Sequence, residues 1–264
     1  MYDDSAPFPT KEECIHAPGP AAFPTPASPP AAHQPEPYFL SRLAHQDVIL
    51  FGTRHDRPST TRFFMDFLPI LAGLGITHVG LEIASDQQAS LDNFARSGRG
   101  LHDIDVFHVI DSPEYRCLLD VIRLCELKPV AMDLPPALWN TEYTRDGWMA
   151  KRLCSVFQHA PRAKAAVLVG NLHTIKNVRW IDPLKSDMFL PGHLSEFEPG
   201  LEVLSILADY EDPGQCCHMR ETLSKTEKPV LIETRGLDLR LKVLNLLAAR
   251  PMRADEVTDA VMMF

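Results

Sequence analysis

Two histidines and a carboxylate stand out by where they fall in the chain. VILFGTRHD at 48–56 and AVLVGNLHT at 166–174 each run from an apolar stretch through Gly and two further residues to a His, which places His55 and His173 just past two strand ends. Glu82 sits near the end of the apolar run HVGLEIA. A carboxylate there is costly to bury unless it is paired, hydrogen-bonded or bound to a metal. A single His at a strand end usually caps the strand or faces solvent, and a lone Glu usually pairs with a nearby base. Three such residues at three strand ends make a site. Imidazole nitrogens and a carboxylate suit Zn²⁺, or Fe or Mn, with coordination positions left for water and substrate. The same groups also work without metal, with one His or Glu82 drawing a proton from water.

Other polar residues complete the set. Asp133 ends KPVAMD and is placed to orient a histidine or to act as a further metal ligand. Arg145 and Asp146 open TRDGWMAKRL. Asp146 reads as an ordinary helix-start residue, favourable to the dipole. Arg145 suits an anionic substrate group or a transition-state oxyanion through its planar fork. Arg54 and Asp56 flank the first histidine, and His193 and Glu196 read as part of a loop. Cys216, Cys217 and His218 are adjacent, but none of the six cysteines forms a CxxC pair, so free thiols are the expectation.

The elements that must position these groups read as α/β. Apolar runs at 47–52, 77–83, 128–133, 165–170, 201–208 and 229–234 predict strands covered on both faces of a mostly parallel central sheet flanked by helices. Helices are expected over 60–75, with Pro69 kinking or splitting the first, and near 85–96, 112–127 and 144–159. The irregular stretch 97–107 is placed to rim a site. The two strand-Gly-x-x-His segments suggest two weakly repeated βα halves whose histidines share the ligand-binding edge of an open sheet. LDLRLKVLNLLAAR reads as an edge segment or short helix, and PMRADEVTDAVMMF as an interaction tail or terminal helix. An exposed MMF end is an apolar handle for homo-oligomerisation or for packing back on the domain.

Composition narrows the partners. Lys and Arg number 26 against 35 Asp and Glu, a net charge of −9 that argues against a nucleic-acid surface. No run reaches the length of a membrane span. Ten of the 23 prolines precede Tyr38, so residues 1–37 read as a disordered or extended arm and 38–264 as a single α/β domain. The arm lacks the basic and apolar regions of a secretory signal, which predicts a cytoplasmic protein.

In order along the chain, GTRH at 52–55, GLE at 80–82, the strand ending in Asp133, RDGWMAKRL at 145–153 and VGNLH at 169–173 resemble the Tiki and ChaN-like superfamily, which includes erythromycin esterase-like proteins. Thr53 stands where many members carry Glu (GExH). The resemblance spans about 47–208 and implies that His55, Glu82 and His173 hold the shared positions. Because the superfamily contains metal-dependent peptidases, esterases and haem-binding proteins, it implies a hydrolase, metal-dependent in the sense of those peptidases, acting on an ester, lactone or amide of a small molecule or peptide. The alternatives are a non-catalytic protein binding haem or another iron ligand through the same histidines, and a toxin-like partner-binding module.

Overall fold

The computed structural model describes residues 32–180, 184, 187–208, 229–235, 240–241 and 252–264. Five strands follow the predicted apolar runs up to position 208: β2 Val48–Thr53, β3 His78–Ala84, β4 Lys128–Asp133, β5 Ala165–Gly170 and β6 Val203–Ala208. β7 Val230–Glu233 follows the sixth run, and β1 Ala32–His33 lies within the proline-rich stretch. With β10 Ala260–Met263 these form one sheet in the order β1-β7-β10-β6-β2-β5-β3-β4. The pairs from β10 to β4 are parallel, and β7 is antiparallel to both β1 and β10. A two-stranded pair, β8 Arg240–Leu241 with β9 Met252–Arg253, stands apart.

Seven α-helices belong to the described residues: α1 Pro35–Leu43, α2 Pro58–Gly73, α3 Gln88–Ser97, α4 Pro113–Leu124, α5 Arg145–His159, α6 Leu190–Phe197 and α7 Ala254–Val257. Alternation along the strands explains the layering. In β2, Ile49 and Phe51 join the cluster under α1, α2 and α4, whereas Val48 and Leu50 join the one under α5 and α6. Every residue of β2 and β5 is therefore buried. Fully burying a side chain such as Phe51 or Leu50 contributes about 1.5–3 kcal/mol.

Helix ends follow local chemistry. Ser112 and Thr144 accept the backbone N–H groups of Tyr115 and Gly147, the side-chain cap that starts α4 and α5. Glu126 turns left-handed at φ 57°, so α4 stops at Leu124, short of 127. Pro69 does not split α2, which runs unbroken past it. It lies on the exposed face, where water can reach the carbonyl that loses its amide partner.

Two expectations are corrected. The chain's end is neither a tail nor a terminal helix: Ala260–Met263 is a buried strand between β6 and β7, so Met262 and Met263 are core and not a handle for self-association. The two Gly-x-x-His segments do not sit in separate halves, since β2 and β5 are neighbours and the sheet interleaves early and late strands. Most of 237–250 and all of Cys216, Cys217 and His218 lie outside the described residues. No described helix is long and apolar enough to cross a membrane.

Candidate active site

Four adjacent strands, β2, β5, β3 and β4, deliver His55, His173, Glu82 and Asp133 side by side at their C-terminal edge. Register between β3 and β4 shifts between Leu81 and Ala84. Such a bulge bends a strand and re-aims a side chain, and Glu82 lies within it.

Glu82 is the hub. It is 3% exposed. Its Oε2 accepts the backbone N–H of Gly170 at 2.7 Å, and its Oε1 accepts Nη2 of Arg145 at 3.1 Å. His173 Nε2 lies 3.4 Å from Oε1, and His55 Nε2 lies 3.9 Å from Oε2. The burial cost of the carboxylate is thus offset by a backbone donor, a guanidinium and the nearby His173 imidazole.

The two histidines differ in setting. His173 is 13% exposed on its side chain, and its Nδ1 donates to Asp146 Oδ1 at 2.9 Å. Burial pulls its pKa down, but the Asp146 carboxylate, with help from Glu82, more than offsets this, and the net shift is upward. His55 is 31% exposed on its side chain and faces a cavity of about 160 Å³. Thr53, Arg57, Thr61, Glu82, Ser112 and Tyr115 help to line that cavity.

Arg145 is not among the residues that line this cavity. Its Nε and Nη2 donate to the two oxygens of Asp133, both at 2.6 Å, while Nη2 also holds Glu82. Burial opposes its charge, yet Asp133 and Glu82 raise its pKa overall. Asp133 Oδ1 also accepts the N–H of Leu134 at 2.8 Å.

The donor set does not fit a divalent metal. Arg145 supplies the positive charge between Glu82 and Asp133, and both Asp133 oxygens are committed to it. No group of three or more His, Cys, Asp or Glu among the described residues is arranged to hold a metal ion.

No protein-family model and no curated protein matches this chain, but solved structures do. An erythromycin esterase mutant, EreC in its open conformation, is 13% identical with TM-score 0.57, covering 86% of this chain and 92% of that one. A protein from Bacillus cereus is 11% identical with TM-score 0.56, covering 85% and 89%. ChaN of Campylobacter jejuni, described with cofacial haem binding, is 16% identical with TM-score 0.49, covering 67% and 86%. The chain has the fold of the erythromycin esterase. Identities this low establish the fold and leave activity to the site.

Within this esterase-like fold, some site features escape a reading of residue types. Asp146 looks like a helix-start residue, yet its Oδ1 binds His173 and also the N–H of Leu190 at 2.9 Å. Part of the cavity wall comes from the first turns of α2 and α4, which the sequence marks by Pro58 and by Ser112 and Pro113. Arg54 and Asp56 pair with each other through two hydrogen bonds of 3.1 and 2.7 Å. His193 lies on α6, 3.7 Å from Glu196, not in a loop.

Proposed function

We propose that the protein is a hydrolase of ester or lactone bonds that works through His55 and Glu82 by acid–base chemistry without a metal ion. The observation that carries this reading is that His55 and Glu82 face one cavity while His173 and Arg145 hold Glu82 from behind. A water oxygen fits between His55 Nε2 and Glu82 Oε2, 3.9 Å apart. His55 Nε2 takes a proton from that water as its oxygen attacks the carbonyl carbon. Arg57, on the cavity wall, stabilises the tetrahedral oxyanion. The C–O bond then breaks, and the proton on His55 passes to the leaving oxygen, giving an acid and an alcohol.

In this scheme Arg145 and Asp133 orient Glu82, and Asp146 fixes the ring of His173. The structural likeness to an erythromycin esterase supports an ester or lactone over an amide. A haem site has less support, because both nitrogens of His173 face carboxylates and the cavity is below the roughly 300–1,000 Å³ of larger ligand sites. A panel of activated esters, lactones and amides tests the proposal. Glu82→Gln is expected to lose on the order of 10²–10⁴ in kcat/KM, while a chelator leaves the wild-type rate in place. Unchanged hydrolysis in Glu82→Gln overturns the reading.

A further inference from the structure

A second cavity, of about 580 Å³, lies at the edge of the sheet opposite the active site. Gln46, shortly before β2, and Glu202, just before β6, line one side of it, and Arg235, just past the antiparallel β7, lines the other. Backbone bonds tie these ends in place. The N–H groups of Asp47 and Val48 donate to the carbonyl of Glu202 at 2.9 and 3.1 Å, and that of Thr234 donates to the carbonyl of Asp259 at 3.0 Å. The volume falls within the roughly 300–1,000 Å³ of small-molecule sites.

Most charged groups on the described walls are already committed. Arg42 pairs with Glu233, Lys176 with Asp259, Arg253 with Asp255, and Glu256 with Arg179. Glu202 and Arg235 alone on these walls have no ion-pair partner among the described residues. An exposed lone charge is ordinary, and both residues are exposed. Here, however, an anion and a cation line one cavity from β6 and β7, which β10 separates, so they start two strand spacings apart, about 10 Å. On the anion's side the buried Oε1 of Gln46 has no hydrogen-bond partner, a costly state for a buried acceptor. From this arrangement we infer a second binding site, for a short peptide with free termini: its ammonium meets Glu202 and Gln46 Oε1, its carboxylate meets Arg235, and its amides face walls on which polar residues outnumber apolar ones. The site stands apart from the hydrolase reading and does not depend on it.

Isothermal titration calorimetry of the full chain with triglycine, N-acetyltriglycine, triglycine amide and ε-aminocaproate tests it. Each charge-assisted contact is worth at least about tenfold in affinity, so triglycine is expected to bind about tenfold tighter than either blocked form. ε-Aminocaproate carries both charges and no peptide amide, and is expected to bind more weakly than triglycine. Two variants cross the assignment. Glu202→Gln should erase the difference between triglycine and N-acetyltriglycine, and Arg235→Gln the difference between triglycine and triglycine amide. These are ratios of affinities within one preparation, so partial misfolding does not alter them. Absence of triglycine binding, equal binding of the blocked forms, or differences that persist in the two variants overturn the site. Binding of ε-aminocaproate as tight as that of triglycine overturns the peptide as its ligand.

Discussion

The segments GTRH and GNLH share one pattern and neighbouring strands, yet they end in histidines with different surroundings. His55 looks into the cavity with no carboxylate among the described residues nearer than 3.9 Å, while His173 sits, mostly buried, between Asp146 and Glu82. The glycines show how the two segments depend on each other. A Cβ at Gly170 would stand 3.0 Å from His55 Nε2, and a Cβ at Gly52 would overlap the side-chain oxygen of Asn171. Each glycine makes room for a side chain of the other segment. Equal sequence patterns thus build one interlocked unit in which one histidine is free to act on substrate and the other is committed to holding the carboxylate.

The contrast is broken or confirmed most sharply by removing each imidazole. His55→Asn and His173→Asn are both expected to lower kcat by on the order of 10²–10⁴. Only His173→Asn should also cost stability, about 1–3 kcal/mol, because it strips the buried Glu82 and the mostly buried Asp146 of a partner. Urea unfolding beside the ester assay checks this, and equal stability losses would remove the proposed division of labour.

The glycines sharpen the same comparison at smaller scale. Gly52→Ala meets Asn171, whose side chain is fixed by hydrogen bonds of 2.7 and 3.0 Å to the backbone of Ala208, and the Ile206 carbonyl at 2.9 Å. Since neither can yield easily, a loss of about 1–3 kcal/mol is expected. Gly170→Ala meets only the tip of a partly exposed imidazole, so the cost should appear mainly in kcat, as a roughly tenfold fall from a displaced His55. Melting curves and rates measured on both variants decide the point; a reversed pattern would mean that His55 is the more rigidly held.

How far the sequence revealed this arrangement depends on how local each cause is. The first five long strands and the helices around α3, α4 and α5 were legible because continuous apolar runs and capping residues act within a few positions. Ala260–Met263 was not, because its place between β6 and β7 depends on pairing with residues about fifty and thirty positions away, and AVMM at a chain end looks the same exposed or buried. His55, Glu82 and His173 were legible as strand-end polar residues. The partner of Asp146 was not, since a helix-start aspartate looks identical whether it caps its own helix or holds an imidazole from another element. Asp133 and Arg145 were picked out, but residue type left open whether they meet substrate, metal or each other, and the structure pairs them.

Asp146 gives the smallest and most specific test of the contrast, because it touches His173 and not His55. The folded-state pKa of His173 is raised above its ordinary 6.5. A histidine so raised contributes stability that is complete below that value and is lost as pH rises through the folded-state pKa. Asp146→Asn removes the charge chiefly responsible for the rise, so its penalty should be about 1–2 kcal/mol near pH 5.5 and should shrink toward pH 9. Urea melts of both proteins across that range measure the difference. A penalty independent of pH would show that Asp146 acts only through the Leu190 amide, in which case the protonated state of His173 plays no part in holding Glu82 and the two histidines differ in burial alone.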